Sequence, residues 1–484
     1  MKGFLPTDSS HNWAQYSSSD ATIDTRHLRI CSGPITERRR IPMSTSTERS
    51  IASHLKRSHL TSQLGDSLNK EVVLAGWVHD VRVLGGISFL LLRDMSGVVQ
   101  VTAPKTKAPA EVLKEIAGLH QEDVLFVRGT VVSSKIAKRG IEVIPSELEV
   151  VSRAETPLPL DPRGVQNTLL ETRLNWRVLD FRSEESNAIF KIQSKILQSF
   201  REFFLGRRYV EIQPPVIIAS ASEGGAELFS LKYFEKEAYL AQSPQLYKQM
   251  CAISFEKVFT VLPIFRAEKF EQPTHLNEIR QMDIEESFAT DADVMKVLEE
   301  FMAQCVESVR TACAEELKRL GHELEPLSLP LKRIQYSEAV NMLRKSGEEI
   351  DLGMDFSKTQ EKKLTGLVGK KAFFMVDWPL ELKAFYAMPN SDGKTARAFD
   401  LIYDGLEVSS GTQRIHLPSL LIDRLKAKGL NPDNFKSYVD AFRYGAPYHA
   451  GWSIGLERLT MKVTGRENIR EATMFPRDRN RLTP

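Results

Sequence analysis

Charged residues that can bind phosphate stand at the end of an apolar run in the middle of the chain. The run Phe259–Phe265 is followed by Arg266 and Glu268, and a polar segment with His275 separates it from a second run, Met282–Phe288. Two strand-like runs around a polar segment predict a long antiparallel hairpin. An arginine can hold a phosphate bidentately, although a hairpin of this kind, taken alone, is more often only a solvated, charged surface.

Similar charges recur in the stretch DGLEVSSGTQR, Asp404–Arg414. Alternation along a strand puts Glu407 and Ser409 on one face, and a turn at the Ser-Ser-Gly triplet is expected to bring Ser410 and Arg414 to the strand end. Carboxylate and hydroxyl oxygens suit Mg²⁺, which keeps some waters and takes phosphate oxygens as further ligands. Arg414 can hold a carboxylate with two hydrogen bonds.

A third stretch, GAPYHAGWSIGLER, contains Gly451 and Gly455, which allow close approach of the backbone, and places Arg458 where a strand meets a helix. Arg458 is then expected to face the same sheet surface as Arg266. Each stretch separately is more typical of an ordinary structural element. Together they favour an enzyme that uses ATP to activate a small carboxylate substrate.

Two shorter stretches each have two interpretations. SASEGGAELF, residues 220–229, contains a double glycine that is typical of a mobile hinge, but a polar surface turn is the simpler interpretation. In QSPQLYKQ, Gln245 and Lys248 lie one turn apart if the segment is helical. Lys248 is then either a surface lysine that packs its stem on apolar neighbours or the receptor for a substrate carboxylate.

A sheet must position these stretches. From residue 183 onward, a helix with one apolar face, Ser183–Arg208, leads into strands mixed with helices, and AFYAM at 384–388 is one of the expected strands. Strands clustered with helices, without βαβ alternation, predict an α+β domain on an antiparallel sheet over residues 183–484. The sequence contains neither GxGxxG nor GxxxxGK[ST], which argues against a Rossmann or P-loop site.

The preceding region, residues 46–152, predicts a different domain. From Glu71 onward, short β-rich runs are interrupted by one helical stretch, Ala110–Leu119. Five strands with a helix between the third and the fourth are typical of an OB-fold barrel, which binds single-stranded nucleic acid on aromatic and basic side chains. A proline-rich linker, residues 153–182, joins the two domains.

The composition is that of an ordinary globular protein. Of 484 residues, 42% are hydrophobic and 26% charged, and the net charge is +2, so a nucleic-acid surface must be a local patch. The four cysteines form no CxxC pair, which argues against a zinc site or a disulfide framework. No apolar run approaches the roughly 18 residues of a membrane span, and we expect a cytoplasmic protein without a membrane partner. Residues 1–45 predict a disordered extension, with Met43 as an alternative start.

Together the stretches resemble the three signature motifs of class II aminoacyl-tRNA synthetases: the long helix with YVEIQPP, then FRAE…THLNE…DIEESF, then GWSIGLERL. GGAELF, AQSPQLYKQ, FDLIYDGLEVSSGTQR and FPRDRNRLTP are similar to the aspartyl family of subclass IIb in its archaeal and eukaryotic form. The resemblance extends from Leu68 to Pro484. It implies an OB-fold barrel that binds the tRNA anticodon, a class II catalytic domain, a homodimer, and ATP- and Mg²⁺-dependent attachment of L-aspartate to tRNA(Asp) through an aspartyl-adenylate.

The resemblance also implies roles for single residues. The expected catalytic residues are Arg266 at the aminoacyl carboxylate and α-phosphate, Glu268, and Arg458 at the γ-phosphate. The metal is expected at Glu407 and Ser410. Further ATP contacts are expected from Ala267, Thr274, His275, Leu276, Glu407, Gly455, Leu456 and Glu457. Aspartate contacts are expected from Glu223, Gln245, Lys248, Arg266, Ser410 and Arg414. Anticodon contacts are expected from Phe89, Arg82, His79 and Lys138.

Single residues also indicate the choice of substrate. A neutral amide substrate would leave a buried Lys248 without its carboxylate partner and would be rejected, which favours aspartate and leaves an asparaginyl enzyme as the alternative. His79 stands where enzymes strict for tRNA(Asp) carry Trp, and so resembles the enzymes that also charge tRNA(Asn). Lys138 instead resembles the strict enzymes. We favour charging of both tRNAs. Thr274 replaces the arginine usual in the family. An inactive RNA-binding paralogue is the alternative of another class, and the intact charged residues of the motifs argue against it.

Overall fold

The computed structural model of the chain describes residues 54–164, 168–219, 228–269 and 271–484. The chain divides into two compact units, with the boundary between Arg153 and Ala154. The boundary therefore falls at the start of the predicted linker, 153–182. The predicted extension 1–45, the alternative start Met43 and the candidate Glu223 lie outside the described residues.

The first unit is built on a closed five-stranded barrel in the order β1-β2-β3-β5-β4. Its elements are β1 (Glu71–Val83), β2 (Ile87–Asp94), β3 (Gly97–Pro104), α1 (Ala110–Ala117), β4 (Val124–Ser133) and β5 (Ile141–Ser152), preceded by a 3₁₀ helix, Thr61–Ser67. Alternating apolar residues such as Val72, Leu74 and Val78 are buried in the barrel core. The predicted OB-fold, with its helix between the third and fourth strands, is confirmed.

The second unit contains an eight-stranded sheet in the order β12-β13-β14-β15-β16-β11-β10-β6 and a three-stranded sheet in the order β7-β9-β8. The strands are β6 (Val210–Glu211), β7 (Ile217–Ile218), β8 (Ser230–Tyr233), β9 (Lys236–Leu240), β10 (Lys257–Phe265), β11 (Glu278–Ser287), β12 (Lys332–Gln335), β13 (Ala372–Val376), β14 (Ala398–Tyr403), β15 (Leu406–Arg414) and β16 (His449–Gly455). Most neighbours pair antiparallel, as predicted for an α+β domain, and among the described strands of this unit only β6–β10 and β12–β13 are parallel.

Helices surround this sheet. They are α2 (Leu170–Asn175), α3 (Arg177–Asp180), α4 (Glu184–Gly206), α5 (Gln245–Phe255), α6 (Asp291–Ala312), α7 (Ala314–Arg319), α8 (Tyr336–Lys345), α9 (Lys358–Val368), α10 (Pro418–Ala427), α11 (Lys436–Phe442) and α12 (Leu456–Val463), with 3₁₀ turns at Leu380–Leu382 and Pro432–Phe435. Within the four described ranges, no helix is long and apolar enough to cross a membrane.

The main core lies between the sheet and helices α4 and α6. Helix α4 begins after Ser183, whose side chain caps it by accepting the Ser186 N–H. Its Phe200 packs edge-on against Phe259 of β10 and Trp452 of β16, with ring centroids 5.7 and 6.3 Å apart. Burying one such phenylalanine contributes about 2–3 kcal/mol. Because this packing covers one face of the central strands, the side chains that alternate with the core residues face the other side, where the candidate site lies.

Candidate active site

A cavity of about 110 Å³ lies on the face of the sheet away from α4 and α6. It is lined by Arg266, Glu268, Thr274, His275, Leu276, Ile279, Gln281, Glu407, Val408, Ser409, Ser410, Ser453, Gly455, Arg458 and Ile469. Residues predicted from all three charged stretches therefore surround one space. They meet because β10 and β11 form the predicted hairpin, β16 pairs with β11, and β15 pairs with β16.

Arg458 connects the three stretches. It follows the end of β16 at the start of α12, and its side chain is 18% exposed. Its guanidinium donates to the Glu407 carbonyl at 3.1 Å and lies 3.6 Å from the Glu407 carboxylate. It also donates to His275 Nε2 at 3.1 Å and to the Thr274 carbonyl at 3.4 Å. A partly exposed guanidinium fixed in this way presents its remaining donors to the cavity.

His275 is held neutral in this site. Burial and the neighbouring charge of Arg458 lower its pKa to about 4. At neutral pH the imidazole therefore carries no charge, and its Nε2 can accept the hydrogen bond from Arg458. The histidine thus orients the arginine without repelling it.

Glu407 and Ser410 share one side of β15 because the strand contains a β-bulge at Val408. The extra residue reverses the alternation beyond it, so that Ser410, and not Ser409, lies on the side of Glu407. Glu407 and Ser410 line both the first cavity and an adjoining one of about 140 Å³, whereas Ser409 reaches only the first, is 2% exposed and pairs with Ile454 of the core. The predicted pairing of Glu407 with Ser409 is therefore wrong. So is the predicted Ser-Ser-Gly turn, since these residues continue the strand to Arg414.

The oxygens of Glu407 and Ser410 suit a magnesium ion that has few protein ligands. Burial would raise the pKa of Glu407, but the charges of Arg458 and Lys358 lower it below its ordinary value, so the carboxylate is ionised. Among the described residues, no group of three or more His, Cys, Asp or Glu side chains is placed to hold a metal ion. Two protein oxygens, completed by water and phosphate oxygens, are an ordinary Mg²⁺ shell.

Helix α9, which was not predicted from the sequence, packs against this side of β15. Its Glu361 accepts the backbone N–H of Glu407 at 2.9 Å. Lys358 lies 2.6 Å from the Glu361 carboxylate and 3.7 Å from that of Glu407. The helix therefore fixes the backbone of Glu407 and supplies a cation beside it.

Beyond the cavity, four charged side chains are buried together. Lys248 Nζ donates to Asp283 at 2.8 Å and lies 3.6 Å from Glu285, and Arg414 donates to Glu285 at 2.9 and 3.2 Å. Lys248 is only 1% exposed, so the interpretation as a surface lysine is wrong. Its partner within the protein is Asp283, a residue for which the sequence predicted no role. The cluster has two cations and two carboxylates.

The pKa values of the two carboxylates in this cluster are shifted in opposite directions. Burial raises the pKa of Asp283 above its ordinary value despite Lys248. Burial also acts on Glu285, but the charges of Arg414 and Lys248 outweigh it and lower its pKa. Glu285 is therefore the firmly ionised partner of Arg414, and Asp283 is the more easily protonated member.

Asp283 and Glu285 were visible in the sequence but not assigned to the site. They alternate with Met282 and Ile284 along β11, and only the latter pair belongs to the apolar core. Two acids at every second position of a strand whose other face is core place both carboxylates on one surface. That alternation was the available signal.

Gln245 is buried beside the charge cluster. It opens helix α5, so it lies one turn from Lys248, as the helical interpretation of QSPQLYKQ predicts. Its amide donates to Gln249, and Gln249 in turn contacts His449 at 2.9 Å. Gln245 is thus fixed at the edge of the cluster.

Three predicted ATP residues do not point into the cavity. Leu456 packs in the main core, and the Glu457 carboxylate accepts the Arg280 backbone N–H at 3.0 and 3.1 Å. Burial raises the pKa of Glu457 to about 7. Ala267 follows Arg266 in the loop after β10 but is not a lining residue. Any ATP contact of these residues would have to come from their backbone.

The anticodon candidates lie on the barrel. Arg82 and Phe89 are opposite each other on β1 and β2, on the side facing away from the barrel core. His79 occupies the bulge of β1, and the Arg93 guanidinium lies 3.3 Å from its Nδ1. Lys138 is exposed in the connection between β4 and β5. The first three therefore share one strand pair, and Lys138 lies on a separate loop.

Comparisons with protein families match both units. Residues 169–479 match the family described as tRNA synthetases class II (D, K and N). Residues 72–151 match the OB-fold nucleic acid binding domain. The first match covers the unit with the eight-stranded sheet, and the second covers the closed barrel.

Similar proteins cover most of the chain. An aspartate–tRNA(Asp/Asn) ligase of Methanopyrus kandleri is 50% identical over 417 residues, 86% of this chain and 96% of that protein. An aspartate–tRNA(Asp) ligase of Pyrococcus horikoshii is 47% identical over 436 residues, 88% of this chain and 100% of that protein.

Solved structures are similar as well. The asparaginyl-tRNA synthetase of Pyrococcus horikoshii complexed with asparaginyl-adenylate has a TM-score of 0.85 at 32% identity, covering 89% of this chain and 100% of that one. A putative aspartyl-tRNA synthetase of Leishmania major has a TM-score of 0.83 at 31% identity, covering 91% and 97%.

Proposed function

Because the chain belongs to the class II tRNA synthetases for D, K and N, we propose that it attaches L-aspartate to tRNA(Asp) at the expense of ATP, through an aspartyl-adenylate. The observation that carries this proposal is the pair of buried cations, Lys248 and Arg414, beside a cavity lined by Arg266 and Arg458. The cavity arginines suit the phosphates of ATP, and the buried cations suit the side-chain carboxylate of aspartate. The relatives named as aspartate ligases support the same assignment.

In the first step, the α-carboxylate of aspartate attacks the α-phosphate in line, and pyrophosphate leaves. Arg266 holds the carboxylate and the α-phosphate together, and Arg458 holds the γ-phosphate. These contacts neutralise charge and align the reacting atoms, so no covalent nucleophile of the protein is needed. In the second step, the terminal adenosine hydroxyl of the tRNA attacks the carbonyl carbon of the adenylate, and AMP leaves.

The other residues that line the cavity are assigned to the nucleotide and to the metal. Glu268 reads the adenine amino group or steers the tRNA end. Thr274, His275 and Leu276 line the nucleotide end together with the 455–457 backbone. Glu407 and Ser410 would hold the magnesium ion, which when bound would neutralise phosphate charge. Threonine at position 274 offers one hydroxyl where an arginine would offer a charge, so Arg458 carries more of the phosphate binding, together with the metal that Glu407 and Ser410 would hold.

Aspartate recognition rests on the charge cluster, with Glu223 and Gln245 orienting the substrate. Lys248 and Arg414 are donors only and therefore match a carboxylate, which only accepts. An asparagine amide would turn its NH₂ group toward one of these donors. The acceptors Asp283 and Glu285 are already occupied by the two cations.

Asparagine is the second candidate substrate, because the similar asparaginyl enzyme shares the fold. ATP–pyrophosphate exchange with aspartate and with asparagine, each as the only amino acid, separates the two. We expect exchange with aspartate, at least about 100-fold faster in kcat/KM than with asparagine. Exchange with asparagine alone would overturn the assignment, and exchange with neither would favour the inactive paralogue.

We also infer that the enzyme charges both tRNA(Asp) and tRNA(Asn). His79 lies on the barrel face that carries Phe89 and Arg93, and the Methanopyrus relative is named for both tRNAs. The test is aspartylation of the two transcripts side by side, with wild type and His79→Trp. We expect the variant to lose mainly tRNA(Asn). If wild type charges tRNA(Asp) alone, Lys138 is the better guide to specificity.

A homodimer completes the proposal. The edge strand β6 of the eight-stranded sheet exposes Val210, and Leu205 of the preceding helix is 56% exposed. These apolar side chains belong to the first signature motif, where the family forms its dimer. Sedimentation velocity is expected to give twice the chain mass of 54.8 kDa. A species of the single-chain mass would contradict this part of the proposal.

A further inference from the structure

The segment Ile469–Arg481, which we call the strap, lies along the loop that carries the ATP-side residues, 266–277. We propose that the strap positions this loop for ATP binding and that Arg470 is its main positioning residue. The inference rests on the proposed function of the loop. It goes beyond that function because neither the three motifs nor the residues assigned to substrates include Arg470.

The described residues of the loop form no helix or strand of their own. Some of its backbone groups bond within the loop, as the Arg266 N–H does with the Asn277 carbonyl at 2.9 Å, and others find partners outside it. The strap supplies two of them: the Ile469 N–H donates to the Pro273 carbonyl at 2.7 Å, and the Arg477 carbonyl accepts the Asn277 N–H at 2.8 Å. Both contacts lie next to residues that line the ATP cavity.

Two arginines of the strap also reach the loop. Arg470 pairs with Glu271 at 3.0 Å while its Nε donates to Asp478 at 2.7 Å, so Asp478 fixes the direction of the guanidinium. Arg479 donates to the Lys269 carbonyl at 2.8 Å. The loop is thus held at its backbone and at one side chain.

The strap is itself held by side chains of helices α3 and α4. Arg177 of α3, which is 1% exposed, donates to the carbonyls of Thr473 at 2.6 Å and Met474 at 2.9 Å. Gln193 of α4 donates to the Ala472 carbonyl at 2.8 Å. A segment anchored by buried donors can transmit a fixed position to the loop, which a freely moving tail cannot do.

The test uses the full-length enzyme with Arg470→Gln and Glu271→Gln. The matched control is Arg481→Gln, because Arg481 lies in the same strap but pairs with Glu171 and with Asn175, which is 2.7 Å away. The first readout is KM for ATP and for aspartate in pyrophosphate exchange. The second is hydrogen–deuterium exchange of peptides covering the loop, which does not depend on activity.

For Arg470→Gln we expect KM for ATP to rise roughly five-fold, the size of one partly exposed ion pair. KM for aspartate should stay within about two-fold, and the loop should exchange faster. Glu271→Gln should reproduce the effect, and the double variant should add little to it. Because the Glu271 side chain is 51% exposed, that variant serves if Arg470→Gln does not fold.

The inference would be overturned if Arg470→Gln and Arg481→Gln gave the same hydrogen–deuterium exchange of the loop and the same KM for ATP. A parallel rise of both KM values, which a merely structural role predicts, would also overturn it. If the wild type showed no aspartate-dependent pyrophosphate exchange, the proposed function would fail instead. The hydrogen–deuterium comparison would then still decide whether the strap holds the loop.

Discussion

Replacing Glu285 by glutamine tests whether the buried charges form a matched set. Glu285 is fully buried, accepts from Arg414 at 2.9 Å, and lies 3.6 Å from Lys248. The amide keeps the volume of the side chain and removes its negative charge. Lys248 and Arg414, which are 1% and 3% exposed, then have Asp283 as the single carboxylate of the cluster. The variant therefore leaves one buried positive charge without compensation.

The expected loss of stability follows from that uncompensated charge. Breaking a buried ion pair by removing one partner costs about 3–5 kcal/mol. For a unit as long as Ala154–Pro484, the unfolding entropy is about 0.7 kcal/mol/K, so the Tm of the catalytic unit should fall by about 4–7 °C. Scanning calorimetry is the assay, because it can resolve separate transitions of the barrel and the catalytic unit.

Glu278→Gln is the matched control. Glu278 lies on the same strand and pairs with Arg280 at the same 2.9 Å, but the two side chains are 31% and 42% exposed. An exposed pair of this kind contributes about 0–1 kcal/mol, so the Tm should fall by less than about 1.5 °C. Equal shifts for the two variants, or an unchanged Tm for Glu285→Gln, would refute the reasoning.

Three further predictions concern the substrate, pH and metal. Lys248→Met should lower kcat/KM for aspartate about 100-fold in pyrophosphate exchange with little change in KM for ATP, and the reverse pattern would remove Lys248 from the aspartate site. Glu457 has its pKa raised to about 7 from 4.5, so the stability it contributes is complete below pH 4.5 and is lost as pH rises through 7. Glu457→Gln should therefore match the wild-type Tm at pH 4.5 and exceed it at pH 8, and a constant difference across this range would contradict the assignment. Removal of magnesium with EDTA should abolish exchange, and Glu407→Gln should raise the magnesium concentration for half-maximal exchange; an unchanged magnesium requirement would exclude Glu407 as a ligand.

Periodicity predicted the elements that depend on apolar spacing. The hairpin of β10 and β11, the long helix α4, and the five-stranded barrel with its helix all occur where the sequence indicated them. Each has one face or one interior filled by regularly spaced apolar residues, and that spacing is a property of the sequence itself. The meeting of Arg266 and Arg458 followed because each residue lies shortly after the end of a strand of one sheet.

Features that depend on neighbouring strands were not predicted. The bulge at Val408 arises from the pairing of β14 with β15, and it decides which serine accompanies Glu407. Helix α9 was missed because its sequence, KTQEKKLTGLV, has few apolar residues, although the capping box of Ser357 and Gln360 was a usable signal. The strand predicted at 384–388 is wrong: the segment is irregular and pairs only at the single bridge of Ala387 with Arg414.

The buried charge cluster contributes more to substrate binding than to the stability of the fold. A buried set of two cations and two carboxylates gains little stability over apolar residues of the same volume. Such a set is therefore more informative about binding than about folding. In this chain it lies on the polar face of β11, directly beyond Ser453, which lines the cavity and contacts Asp283 at 3.3 Å. Donors that are already held in place and desolvated can bind a substrate carboxylate without further reorganisation, which is the property that a site selective for aspartate requires.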